Sequence, residues 1–291
     1  MKIARMKKYT LFLPCAIACT LVAAQESKVM DNLSLKSKIL NMERKYAVYL
    51  PAGYETSQRD YPVLYLLHGG GDDQTGWVQF GEVQHIADSA IKAGGTTAMI
   101  IIMPDASATR RGFYNNATNT WRYEDFFFQE LIPFVEKTYR IKAEKRFRAV
   151  AGLSMGGDGT FTYALHHPEM FSAACPFSAG GSPLTLEDAK TQLTKETPDI
   201  SQTAITAFFN RQNFVYMINA MPDSTRKSVR WFIGCGDDDH QYEASSLVHI
   251  AMRKREIPHE FRISDGGHNW TYWRGVLPLA LDFVTQGFHQ H

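Results

Sequence analysis

Short apolar runs alternate along this chain with longer stretches in which apolar residues recur every three or four positions. The runs at Lys45–Leu50, Val63–Leu67, Ala98–Met103, Phe147–Ala151, Ala173–Phe177, Arg230–Ile233 and Glu260–Ile263 are too short for helices. Most are nearly continuous in apolar residues, as strands buried on both faces must be. Helical periodicity covers Val83–Ala93, Phe126–Tyr139, Thr160–His167, Tyr242–Arg255 and Tyr272–Gln286. Pro168 closes the third of these, and Pro133 interrupts the second, which predicts a kink or a late helix start there. Strand alternating with helix predicts an α/β protein with a mostly parallel central sheet and helices on both faces. Residues 182–222 break the alternation and read as helical at Ile205–Arg211 and Phe214–Asn219. They predict an inserted cap.

The chain has 291 residues, 44% of them hydrophobic and 21% charged, enough for one large α/β domain with a substantial core. A net charge of +1 with scattered Lys and Arg gives no electrostatic case for nucleic acid or an anionic membrane as a partner. The N-terminus differs from the rest: Lys2, Arg5, Lys7 and Lys8 precede an apolar run from Leu11 to Ala24. That run is shorter than the roughly 20 residues a spanning helix needs, and Val22-Ala23-Ala24 supplies a small-residue cleavage site. Residues 1–24 therefore predict a signal peptide and a secreted or periplasmic mature chain of residues 25–291. A lipoprotein anchored at Cys19 is the weaker alternative, because Ala16 stands where such sites prefer leucine. With Cys15 and Cys19 in the leader, Cys175 and Cys235 remain. Both fall on core strands and are expected as free, small apolar residues, since neighbouring parallel strands seldom hold disulfide geometry. Neither spacing suggests a metal site.

Chemistry concentrates at Gly152-Leu153-Ser154-Met155-Gly156-Gly157, where a strand hands over to a helix. A serine there sits on a sharp turn, clear of neighbouring side chains, and the glycines let strand and helix pass closely. Such a serine needs a base and an orienting acid, which in this arrangement follow it in the order acid, histidine. The strand at Arg230–Ile233 leads into Asp237-Asp238-Asp239-His240, and the last strand leads into Asp265-Gly266-Gly267-His268. The residues alone leave three adjacent aspartates open as the acid. The aspartate run lacks the spaced ligands and glycine of a calcium loop. Upstream, Val63–Leu67 runs into His68-Gly69-Gly70-Gly71, whose backbone N–H groups are placed to form half of an oxyanion hole.

Four stretches in this order, Tyr46–Tyr54, Tyr61–Gly69, Gly152–Gly157 and Gly266–Trp270, carry a family likeness across nearly the whole mature chain. The sequence resembles the esterase D and feruloyl esterase branch of the α/β-hydrolases, which includes S-formylglutathione hydrolases, mycolyltransferases and acetylxylan esterases. The resemblance implies an α/β-hydrolase fold with a helical insertion after the sixth strand. It implies Ser154 as nucleophile, His268 as base and Asp239, three places after Gly236, as acid, with the backbone N–H groups of Gly70 and Met155 as oxyanion donors. It implies no metal and no organic cofactor, and a small-molecule or oligosaccharide ester as substrate. Among aromatics expected near the mouth, Phe113, Tyr114, Trp121, Trp270 and Trp273, the three tryptophans are candidates for stacking on a hydroxycinnamoyl ring or a sugar. The leader favours an exported carbohydrate esterase, foremost a feruloyl esterase acting on arabinoxylan. Acetylxylan esterase, acyltransferase and a non-catalytic carbohydrate-binding protein on the same fold are the alternatives.

Overall fold

The computed structural model describes residues 26–106, 112–195 and 197–289, so the expected signal peptide lies outside the described residues. Eight strands form one sheet: β1 (Lys28–Ser37), β2 (Met42–Leu50), β3 (Val63–Leu67), β4 (Ile100–Pro104), β5 (Arg148–Leu153), β6 (Ala173–Phe177), β7 (Arg230–Gly236) and β8 (His259–Ser264). Their order is β1-β2-β4-β3-β5-β6-β7-β8. The β1–β2 and β2–β4 pairs are antiparallel and the remainder parallel. Every residue of β3, β4, β5 and β6 is buried. This is why those strands are the clearest apolar runs in the sequence.

The helices are α1 (Gly76–Gln79), α2 (Val83–Lys92), α3 (Tyr123–Phe126), α4 (Ile132–Thr138), α5 (Met155–His166), α6 (Leu186–Thr194), α7 (Gln202–Gln212), α8 (Phe214–Ala220), α9 (Tyr242–Lys254) and α10 (Trp270–His289). Alternate strand residues feed two apolar layers, as the period of two in a strand requires. Tyr65, Val150 and Trp231 meet Phe127 and residues of α5, α8 and α9 on one face. Leu64, Leu66, Ala151 and Phe232 meet Trp77, α2 and α10 on the other. The interruption expected at Pro133 takes the form of a five-residue π segment, Phe127–Leu131, joining α3 to α4. Proline at the start of α4 has no N–H to give to a preceding turn, and the wider turn absorbs the loss. Among the described residues no helix is long and apolar enough to cross a membrane.

Three helices, α6 to α8, follow β6. Ala189 and Leu193 of α6 pack on Ile205 and Phe208 of α7 and against Tyr114 and Ala117. Thr185 and Asp188 form a reciprocal capping box that starts α6, which accounts for a helix with only two buried positions. A buried carboxylate ties the insertion to the body. Glu124 receives His166 Nδ1 at 2.7 Å, His167 Nε2 at 3.1 Å and Arg211 of α7 at 3.0 Å. Burial alone would raise the Glu124 pKa, but the imidazoles and the guanidinium hold it at about 2.

Candidate active site

The turn from β5 into α5 is tight enough to exclude side chains. A Cβ on Gly152 would lie 2.4 Å from the Gly156 carbonyl oxygen, and one on Gly156 would lie 2.5 Å from the oxygen of Leu67. Ser154, at the apex, adopts φ 53° and ψ −120°, a conformation that costs an L-residue on the order of 1–3 kcal/mol. The turn is held by the Ser154 N–H donating to Phe177 O at 2.9 Å and the Asp158 N–H to Ser154 O at 3.0 Å. The strain lifts the serine hydroxyl to the C-terminal edge of the sheet, above the first turn of α5.

Ser154, His268 and Asp239 are brought together by three separate loops. Ser154 Oγ lies 2.9 Å from His268 Nε2, and His268 Nδ1 lies 2.9 and 3.1 Å from the two Asp239 oxygens. With Nδ1–H given to the carboxylate, the Nε2 lone pair faces the serine hydroxyl. The acid and histidine loops meet backbone to backbone: a Cβ on Gly236 would lie 2.0 Å from Gly266 O. Asp237 accepts the Gly266 N–H at 3.0 Å, so it fastens the histidine loop and leaves the next aspartate but one to reach the ring. Asp239 is 1% exposed. Burial pushes its carboxyl pKa up, yet hydrogen bonds from the Ser178 hydroxyl, the Gln241 N–H and His268 outweigh that and hold it below the usual carboxylate range.

Ser178, which no sequence motif marks, extends this line. It follows β6 with φ 48°, is fully buried, and accepts the Trp273 indole N–H at 2.9 Å. Trp273 also sets its ring edge-on to His268, 5.0 Å between centroids at 84°. The indole, the Ser178 hydroxyl, the Asp239 carboxylate, the His268 imidazole and the Ser154 hydroxyl thus form one continuous line of hydrogen bonds.

Gly70 and Met155 border the same cleft as Ser154, a space of about 850 Å³. The loop carrying Gly70 is braced from beneath by His68. Its Nε2 accepts the Ala106 N–H at 2.9 Å and its Nδ1 contacts Gly69 O at 2.7 Å, and burial lowers its pKa. Of the aromatics expected at the mouth, only Tyr114 borders the cleft. Trp121 is 1% exposed, donates its indole N–H to Gly112 O at 2.8 Å and stacks on Tyr123; it is a core residue and offers no face to a substrate. Phe113 is likewise buried, edge-on to His68. Trp273 is buried behind His268, and Trp270 packs on Trp77, Phe80 and Trp273. Neither lies on the cleft wall. Phe80, half exposed and resting on Trp270, supplies the aromatic surface instead. Cys175 and Cys235 are free and buried, with both thiol pKa values raised by desolvation.

A strained serine at a strand-to-helix turn, in line with a histidine and a buried aspartate at the C-terminal edge of a mostly parallel sheet, defines an α/β-hydrolase. Residues 37–284 match the family described as "Putative esterase", and the chain belongs to it. A solved ferulic acid esterase is 35% identical and superposes with a TM-score of 0.79, covering 91% of this chain and 99% of that one. The endo-1,4-beta-xylanase/feruloyl esterase of Xylanibacter ruminicola is 30% identical over 79% of this chain and 28% of its own length. The bovine S-formylglutathione hydrolase is 27% identical over 81% and 84%. The chain spans under a third of the length of the Xylanibacter protein and of the Mycobacterium tuberculosis esterase Rv1288.

Proposed function

We propose that this protein is an exported feruloyl esterase that releases hydroxycinnamates from arabinoxylan or its oligosaccharides. The observation that carries ester cleavage is the 2.9 Å approach of His268 Nε2 to a serine held at φ 53°. In this reading Ser154 Oγ attacks the ester carbonyl carbon as His268 Nε2 takes its proton, and the Asp239 carboxylate stabilises the imidazolium. The N–H groups of Gly70 and Met155 receive the developing oxyanion; one such donor is worth about 10²–10³ in turnover. The C–O bond to the alcohol then breaks as His268 returns the proton to the leaving oxygen. Water, deprotonated by the same histidine, attacks the acyl-serine and releases the acid.

The acyl group is argued from the cleft and the relatives. Phe80 and Tyr114 give it aromatic walls, and among the described residues its charged lining is acidic: Asp72, Asp73 and Asp158. Such a surface suits a neutral aromatic or sugar ester better than an anionic peptide thioester. The relatives named for ferulate esterase activity include the solved structure at 35% identity. The basic-then-apolar stretch of residues 1–24 supports export. The test is release of acid from methyl ferulate compared with acetate from acetylated xylan. Cleavage of the first is expected; cleavage of acetylated xylan alone replaces this reading with an acetylxylan esterase.

A further inference from the structure

Asp158 lies one helical turn beyond Ser154, on the wall of the cleft. The loop after β6 fixes its orientation. Oδ1 accepts the Gly180 and Gly181 N–H groups at 2.9 and 3.1 Å, and Oδ2 accepts the Gly181 N–H at 3.0 Å. Among the described residues no cation pairs with it. A carboxyl held rigidly beside a nucleophile without a counter-charge is costly for stability, and such costs concentrate where a ligand is met.

The surroundings describe what it meets. Gly112, Gly180 and Gly181 line the cleft together with Tyr114 and Asp158. A Cβ on Gly181 would lie 2.4 Å from Asp158 Oδ2, whereas the face of Gly180 is covered by the Gln241 side chain, whose Oε1 lies 1.7 Å from where a Cβ would stand. Glycine at 181 therefore leaves Asp158 Oδ2 uncovered on that side. Burial pushes the Asp158 pKa up to about 7, so near neutral pH the group is available in both donor and acceptor forms.

We infer that Asp158 is a specificity-determining residue that hydrogen-bonds the phenolic hydroxyl of the acyl group while the acyl aromatic ring lies in the cleft that Tyr114 borders. This rests on the feruloyl reading and deepens it. An aliphatic or acetyl group has nothing to offer Asp158, whereas a 4-hydroxycinnamoyl group carries one hydroxyl at its far end, away from the ester.

The experiment is a cycle of enzyme variant against substrate hydroxyl. The kcat/KM values for methyl 4-hydroxycinnamate and methyl cinnamate are measured for wild type, Asp158→Ala and Asp158→Asn, with thermal unfolding of each protein. The ratio of the hydroxylated to the plain ester is expected to fall about 10- to 100-fold in Asp158→Ala. Asp158→Asn, which keeps an acceptor for the glycine N–H groups and a donor for the cleft, is expected to retain part of the preference. An equal loss on both esters in both variants makes Asp158 a support for the loop and overturns the inference alone. Wild type that cleaves simple aryl acetates but neither cinnamoyl ester overturns the feruloyl reading, and the inference falls with it.

Discussion

Replacing Ser178 with alanine tests whether the line of hydrogen bonds behind His268 is part of the machinery or incidental packing. The substitution leaves the Trp273 indole N–H, on a residue 6% exposed, without its 2.9 Å acceptor. It also removes one of the donors that hold Asp239 ionised. A buried polar group left unpaired costs about 1–3 kcal/mol. For a domain of this size each kcal/mol moves the Tm by roughly 2–4 °C, so Ser178→Ala is expected to melt several degrees lower. The Asp239 pKa should rise, since its burial is then opposed by fewer donors, and the stability it contributes above the ordinary carboxyl range should be lost at a higher pH as acid is added. Because the Gln241 N–H and His268 still hold the acid, the fall in kcat should be about 10- to 100-fold, well short of the roughly 10⁴ that follows loss of a triad carboxylate. Trp273→Phe in the same background removes the orphaned donor, and the double variant should recover about 1 kcal/mol relative to additivity. Urea denaturation and ester turnover of the four proteins form the assay. Unchanged stability and turnover in Ser178→Ala, or strict additivity in the cycle, refutes the reasoning.

Gly156→Ala should be worse than its chemistry suggests, because the new methyl meets the carbonyl oxygens of Leu67 and His68 at 2.5 and 2.6 Å. Such backbone overpacking costs about 1–3 kcal/mol or more and pushes the Gly70 loop away from Ser154. Gly275→Ala, on an open face of α10, should be neutral or stabilising by up to about 1 kcal/mol, and matching losses in turnover for the two would contradict the argument. Glu124 is held at about 2 against an ordinary 4.5, so its contribution is present above the ordinary value and fades as pH falls toward 2. The difference corresponds to roughly 3 kcal/mol. Glu124→Gln should therefore lose more stability at pH 7 than at pH 3 in urea denaturation; an equal loss at both would show that the ionised carboxylate does not anchor α7.

The parts of the molecule that were readable from the chain are those where one face of the physics dominates. Strands buried on both sides, such as β3 and β6, appear as unbroken apolar runs, and Val63–Leu67 and Ala173–Phe177 are found with the expected bounds. Strand β1 leaves no such run, because at the sheet edge only Leu35 and Ser37 of Lys28–Ser37 are buried and the pairing register shifts between Met30 and Leu33. Helix α6, inside the expected helical insertion, has no bounds legible in the sequence for a similar reason, its buried set being only Ala189 and Leu193. At the site, glycines that forbid a Cβ mark the Ser154 turn, whereas Ser178 and Asp158 are positioned by tertiary contact and carry no local pattern. The tryptophans misled because a large aromatic near a site is as useful to the packing behind it as to the cleft. Trp121 and Trp273 spend their indole N–H groups on Gly112 O and Ser178 Oγ, and the exposed ring on the wall is Phe80.

The geometry makes Ser154 a nucleophile activated by His268. Peptide mapping of the protein after reaction with a fluorophosphonate, alongside the same treatment of Ser154→Ala and His268→Ala, measures that activation directly. One stoichiometric adduct on Ser154 is expected, with loss of ester hydrolysis in step with labelling and no rapid labelling of either variant. An adduct on another residue, or a Ser154→Ala protein that still turns over methyl ferulate at a substantial fraction of the wild-type rate, would contradict it.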